Sequence, residues 1–392
     1  MPPASPKLAV AALGVVALVG GATLLSRREP SAPVPPAVEA GRPSLMDRAC
    51  PLLRNAEAPP STPMGSGAAC SVTAAVRAAS AKGDSMTAGE LATLRTDIER
   101  ALLEQRAECA PALAHELSIA TDCGLVYDAV AIRLLTRTTS DARFAASQLQ
   151  RPSKCQWKMI SALRESERVE PVLAREVVKA IASPDPDIHG AAWLTLGALG
   201  RVAGSAGQLD VVECIDRMLV SELALGPDRP DGQQLEERSI VVSAAGNAGC
   251  EGCRPKLHEL AGSSDAKVRR GAISALRFLG AESDVETLCR IGRTDAEASV
   301  RGAAAFALRH NDSFVEKRLK CLFDMSTEDD SESVARDAVA SLAALAEKET
   351  LGVGTLVEVA KQSKRPSTKK LAIEALRGFA SDQAIREALG AP

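Results

Sequence analysis

From Leu45 onward, apolar residues recur at the three-to-four-residue step of amphipathic helices, in stretches broken by Pro, Gly, Ser and Asp. No segment of useful length alternates with the two-residue step of a strand, so a body that is more than half helix is expected. One pattern returns nearly verbatim. Ala272-Ile273-Ser274-Ala275-Leu276-Arg277 matches Ala372-Ile373-Glu374-Ala375-Leu376-Arg377, with Ala304-Ala305-Phe306-Ala307-Leu308-Arg309 and Ala338-Val339-Ala340-Ser341-Leu342-Ala343 between them. The leading alanines are spaced by 32, 34 and 34 residues, which is the length of a helix pair. Leu276, Leu308, Leu342 and Leu376 then share one repeat position and should be buried between layers. Ala192 to Gly197 fits the same frame and Val241 to Gly246 fits it more loosely, the wider gap being absorbed by the loop Gly226 to Gly232.

Ahead of these runs stand Asp265-x-x-Val268-Arg269, Glu297-x-x-Val300-Arg301 and the looser Ser331-x-x-Val334-x-Arg336. An acid at the turn satisfies the orphan amides at a helix start, and an Arg one turn later can pair with a neighbouring acid. Asp265, Arg269, Glu297, Arg301 and Arg336 are therefore expected to form a structural ladder, with ligand binding by those arginines as the minor alternative. Upstream, Leu45 to Ser166 is helical but off the repeat. Thr87 and Glu90 have the spacing of a capping box ahead of Leu91, Leu94, Ile98 and Leu102, and Pro111 suits the first turn of a following helix.

These residues resemble the HEAT-repeat family, whose second helices open with an acid, a Val-Arg pair and an Ala-Ala-x-Ala-Leu run. The likeness covers roughly 170–389. It implies an all-α, right-handed α-solenoid of HEAT-type helix pairs, here preceded by one N-terminal hydrophobic helix. The turn Gly246-Asn247-Ala248-Gly249, with Pro255 and the Asp265 repeat after it, is similar to the helical superhelix of vitellogenin-type lipoprotein N-terminal domains. Residues 1–45 leave no room for the β-barrel that accompanies that superhelix, so lipid carriage does not transfer. Four segments are expected: 1–28 as a membrane anchor or signal segment, 29–44 as a Pro-rich disordered linker, 45–166 as an irregular helical cap, and 167–392 as the solenoid.

Composition agrees with stacked helices. Apolar residues make up 46% of the 392-residue chain but aromatics only 2%, so the core rests on Ala, Leu and Val. A net charge of −3 gives no field for a polyanion, and a single Tyr offers no stacking platform, so nucleic acid is not expected as a partner. The basic stretch Lys361, Lys364, Arg365, Lys369 and Lys370, and the acidic Glu328, Asp329, Asp330 and Glu332, are read as solvated inter-helix loops, with an acidic or anionic-lipid partner as the alternative for the former.

Leu8 to Leu25 is uncharged throughout and, as a helix of about 27 Å, just long enough to cross a bilayer. An uncleaved anchor is expected, with a cleaved signal peptide at the Gly20-x-Ala22 pattern as the alternative. Arg27 and Arg28 outnumber Lys7, which by the positive-inside rule argues for a cytoplasmic body. Ten cysteines, all beyond that segment, argue for an oxidising compartment, although buried thiols in an Ala-rich core would look similar. The body is expected outside the cytoplasm, with secretion or a cytoplasmic body as alternatives. Cys109 with Cys123, and Cys250 with Cys253, are the sequence-local candidate disulfides; for the latter pair redox or metal chemistry remains a minor alternative.

No catalytic, cofactor or metal constellation is recognisable. His115, His189, His258 and His310 are scattered, and the Ser264-x-x-Lys267 and Ser367-x-x-Lys370 pairs lack the companion motifs of acyl enzymes. The expected role is a non-catalytic scaffold that binds a protein or peptide. An enzyme accessory or lyase-like HEAT protein, or an apolar-ligand carrier, is the alternative; the former would lean on aromatics, and beyond six Phe the chain offers only Trp157, Trp193 and Tyr127.

Overall fold

A computed structural model describes residues 45–48, 50–57, 70–138, 142–150, 153–224 and 232–389. The hydrophobic segment 8–25, the Pro-rich stretch 29–44 and most of the loop 226–232 lie outside the described residues. Residues 43–392 form one unit, and among the described residues there is no strand.

The first half of the body comprises α1 (Leu45–Arg48), α2 (Pro51–Arg54), α3 (Thr73–Lys82), α4 (Ala88–Glu104), α5 (Arg106–Ile119), α6 (Leu125–Thr138), α7 (Ala142–Leu149), α8 (Gln156–Ala162), α9 (Pro171–Ala180) and α10 (Pro186–Ser205). There follow α11 (Leu209–Ala224), α12 (Gly232–Ala248), α13 (Arg254–Leu260), α14 (Ala266–Ala275), α15 (Glu282–Thr294) and α16 (Ala298–His310). The last helices are α17 (Val315–Glu328), α18 (Glu332–Ala346), α19 (Thr350–Gln362), α20 (Pro366–Leu376) and α21 (Asp382–Leu389).

Even-numbered helices from α4 to α20 stack each on the next, while α15, α17, α19 and α21 form the facing row of the second half. The chain is thus an all-α solenoid of two layers. Leu276, Leu308 and Leu342 are fully buried and Leu376 is 1% exposed, as one face of a 3.6-residue period requires when it meets a second layer. Helix axes approach closely where glycine permits. A Cβ on Gly197 of α10 would overlap the Ala244 carbonyl of α12, and one on Gly246 of α12 would lie 2.5 Å from the Ala275 Cα of α14.

The even layer runs without a break through the expected boundary at 166/167, because α6, α8 and α10 stack although α8 has only seven residues and carries no repeat motif. Thr87 caps α4: its Oγ1 accepts from the Glu90 amide at 3.2 Å, and its own amide donates to the Glu90 carboxylate at 2.8 Å. Pro111 does not open a helix. It lies inside α5, which begins five residues earlier, because the turn before it carries Cys109 and Ala110, both fully buried. Nor do α1 and α2 cover the end of the stack. They pack on α9, and α2 also on α11, in the middle of the body. Arg48 pairs with Glu222 at 2.7 Å, Arg175 donates to the Ala56 carbonyl, and Cys50 meets Cys214.

Candidate functional site

At the N-terminal edge of the even layer, Asp265 caps α14 by accepting from the Lys267 amide at 2.7 Å and the Val268 amide at 3.4 Å. Arg269 places a fork on Asp295, Nε at 2.8 Å and Nη2 at 2.9 Å, and its Nη1 donates to the Ser263 carbonyl at 2.9 Å. One repeat later, Arg301 forks onto Asp329 at 2.7 and 2.9 Å and donates to the Asp295 carbonyl at 2.7 Å. Such bidentate pairs are the strong form of the ion pair. The Arg269 guanidinium accordingly holds the Asp295 carboxyl below the usual carboxylate range.

The ladder's acids differ from those expected. Glu297 stands at the N-cap of α16 but makes no side-chain cap bond; Asp295, two residues earlier, accepts from the Glu297 amide at 2.9 Å and receives Arg269. Arg336 is not a rung. The position equivalent to Arg269 and Arg301 is Ala335, which is buried, and Arg336, one residue on, is turned about 100° around the helix and exposed.

All ten cysteines meet in five disulfide pairs. Cys250 and Cys253 are brought together, with Cα atoms 5.3 Å apart. Cys109 and Cys123 are not: Cys109 meets Cys70, and Cys123 meets Cys155. The reason is the stacking direction. Cys123–Cys155 and Cys289–Cys321 both span 32 residues, so each staples one helix pair to the next and does not close a local turn.

Four other features bear on chemistry. His258 Nε2 lies 2.7 Å from Oδ1 of the fully buried Asp284, and its Nδ1 lies 3.1 Å from the Thr287 hydroxyl. Asp284 also accepts from Arg254 Nε at 3.1 Å and from the Ala281 amide at 3.0 Å, so this set satisfies a buried acid at the start of α15. An open pocket of about 240 Å³ lies among α3, α5 and α6, but Arg77 and Glu116 on its wall already pair with each other at 2.6 Å. Trp193 and Tyr127 are core residues, while Trp157 is partly buried beneath Lys158. Within the basic stretch, Lys361 pairs with Glu358 at 3.5 Å and Lys370 with Glu374 at 3.9 Å.

The C-terminal edge of the even layer is different. The guanidinium carbons of Arg201 (α10) and Arg277 lie 4.7 and 4.5 Å from the ring centroid of Phe278. The imidazole of His310 lies edge-on to that ring at 6.3 Å and 4.5 Å from the ring of Phe306, which in turn carries Arg309 at 6.0 Å. Among the described residues no carboxylate makes an ion pair with Arg201, Arg277 or Arg309. Arg277 donates to the Ser274 carbonyl at 2.6 Å and to the Asn247 side chain, yet its Nε is buried without a partner. Burial, reinforced by the charge of Arg201, lowers the Arg277 guanidinium to about 10. Burial first, then Arg309, Arg277 and Lys348, lowers His310 from 6.5 to about 4, against a small opposing pull from Asp312. Arg277 and Arg309, which close two of the repeated runs, were visible as a repeat in the sequence, but nothing local marks these two as unneutralised.

Residues 231–309 match the family described as HEAT repeats. No curated protein matches the chain. Among solved structures, the chain is similar to a crystallised engineered protein from a structural genomics consortium, at 16% identity and a TM-score of 0.35, over 81% of this chain and 97% of that one.

Proposed function

We propose, from the HEAT repeats matched at residues 231–309, that the chain serves as a non-catalytic scaffold for a protein or peptide, with its body held outside the cytoplasm at a membrane. The observation that carries the scaffold reading is the unbroken even layer from α4 to α20, a rigid strip of stacked helices that presents its free face to solvent. Rigid surfaces of this kind lower the ordering cost of binding an extended partner. The scaffold is tested by photo-crosslinking the full-length protein in its native membrane. A stoichiometric protein adduct is the expected result; co-purified lipid or chromophore without a protein adduct would support a carrier or a lyase-like role in its place.

The setting is supported by the pairing of every cysteine, since such pairs persist in oxidising compartments and are reduced in the cytoplasm. The uncharged segment Leu8 to Leu25 supplies the membrane attachment in this reading. Alkylation of free thiols on protein from its native membrane, read by mass spectrometry, should leave all ten cysteines unmodified. Ten alkylated cysteines would place the body in the cytoplasm.

A further inference from the structure

We propose that the C-terminal edge of the even layer, built from Arg201, Arg277 and Arg309 around Phe278, Phe306 and His310, is the docking site for an acidic protein segment. This rests on the scaffold reading and names the chemistry of its partner. Carboxylates of Asp or Glu take the guanidinium groups, and an apolar side chain beside them lies on the half-exposed rings.

Three observations converge. Firstly, the charge is uncompensated. Two guanidinium groups share one ring, Arg201 on Phe278 at 4.7 Å and Arg277 at 4.5 Å, so each raises the cost of the other's charge, and a cation–π contact at a partly exposed site returns only part of that. Arg277 in addition keeps a buried Nε without a partner, so the fold does not fully satisfy this charge. Secondly, aromatics are concentrated where they are scarce. The chain has six Phe, and Phe306 and Phe314 are 36% and 43% exposed on or beside this edge. Exposed aromatics interleaved with arginines have the composition of interface hot spots. Thirdly, the backbone is strained there. Phe314, four residues past His310, is the single described non-glycine residue at positive φ, +52°, a conformation that persists where surrounding structure enforces it and that gathers at ligand sites.

A carboxylate-bearing protein is favoured over a bilayer or a nucleic acid. The guanidinium groups sit at the ends of separate stacked helices, Arg201 and Arg277 on Phe278 and Arg309 on Phe306, which suits discrete side chains more than a continuous anionic plane.

The test uses the full-length protein and a fluorescein-labelled peptide of Glu with interspersed Leu, against peptides in which Gln or Lys replaces Glu, read by anisotropy. The Glu peptide should bind in preference to the other two, and loss of each guanidinium should weaken it about tenfold. R201Q/R309Q should therefore lose binding, Arg201→Lys should recover it in part because charge without the fork remains, and Arg269→Gln on the opposite edge should bind as the wild type does. A second readout is His310, whose imidazole titration, followed by NMR, should move upward from about 4 when the Glu peptide is bound, because a carboxylate then offsets Arg309, Arg277 and Lys348. Equal binding of the Gln peptide, wild-type binding by R201Q/R309Q, an unmoved His310, or capture by phosphatidylserine vesicles in place of the peptide would each overturn the proposal. If the photo-crosslinked protein partner persists in R201Q/R309Q, the scaffold stands and this edge is the wrong site. If the wild type captures no protein at all, the scaffold reading itself fails.

Discussion

The two edges of the even layer use the same residue type to opposite electrostatic ends. At the N-terminal edge, Arg269 and Arg301 each close a fork on an aspartate of the next repeat. At the C-terminal edge, Arg277 and Arg309 occupy an equally periodic position, 32 residues apart, and receive rings and like charges where the other edge has carboxylates. Periodicity in a solenoid thus does not distinguish a structural residue from one left available for a partner. Compensation does: a paired charge belongs to the fold, and an unpaired, half-buried one is costly unless something outside the fold meets it.

The comparison can be broken at its foundation by loosening the seam that holds both edges in register. Leu308→Ala removes a fully buried side chain and should cost about 2 to 5 kcal/mol in denaturant melts, with both edges disturbed together. A loss below half a kcal/mol would mean that the layers are not packed as described. A smaller effect separates the edges. Arg301→Met leaves the Asp329 side chain, 4% exposed, without its fork, and should cost about 1 to 3 kcal/mol.

His310 provides a third contrast, read against pH. Its proton is disfavoured in the folded state, where the imidazole is held at about 4, and accepted in the unfolded chain at its ordinary 6.5. Between those values the unfolded chain binds more protons, so stability attributable to His310 is present above pH 6.5 and declines as pH falls toward 4. Thermal melts of His310→Leu should lack that part of the acid-side decline; identical slopes in the two proteins would show that His310 is not held neutral. The smallest expected effect is at Arg309. Arg309→Gln removes a charge from a like-charged group and should change stability by less than about half a kcal/mol, in contrast to Arg301→Met. Equal losses at the two positions would erase the distinction between the edges.

Much of the fold was legible because helix formation is local. The repeated Ala-Leu runs, the Thr87 cap and the Asp265 cap depend on residues within one turn of each other, and the structure places each of them as that spacing requires. Pro111 shows the limit: packing of Cys109 and Ala110 extended α5 past a residue that ordinarily marks a start. The candidate site was less legible. Arg277 and Arg309 closed a visible motif, but their lack of a counter-charge is a property of neighbours thirty residues away.

By itself, then, the sequence determined the helical period, the pair length near 34 residues, the positions of the buried leucines and the absence of a strand pattern, all of which follow from side chains that meet along one helix. Only the tertiary structure decided which residues meet across helices. Cys109 lies nearest in sequence to Cys123 but is paired with Cys70, and Arg269 finds Asp295 where the motif pointed to Glu297. It also decided that α1 and α2 lie on α9 and α11. The physical reason is that partners in a solenoid are fixed by the rotation and offset between stacked helices. A shift of one residue there turns a side chain by about 100°, as the step from Ala335 to Arg336 shows, and no local pattern encodes that phase.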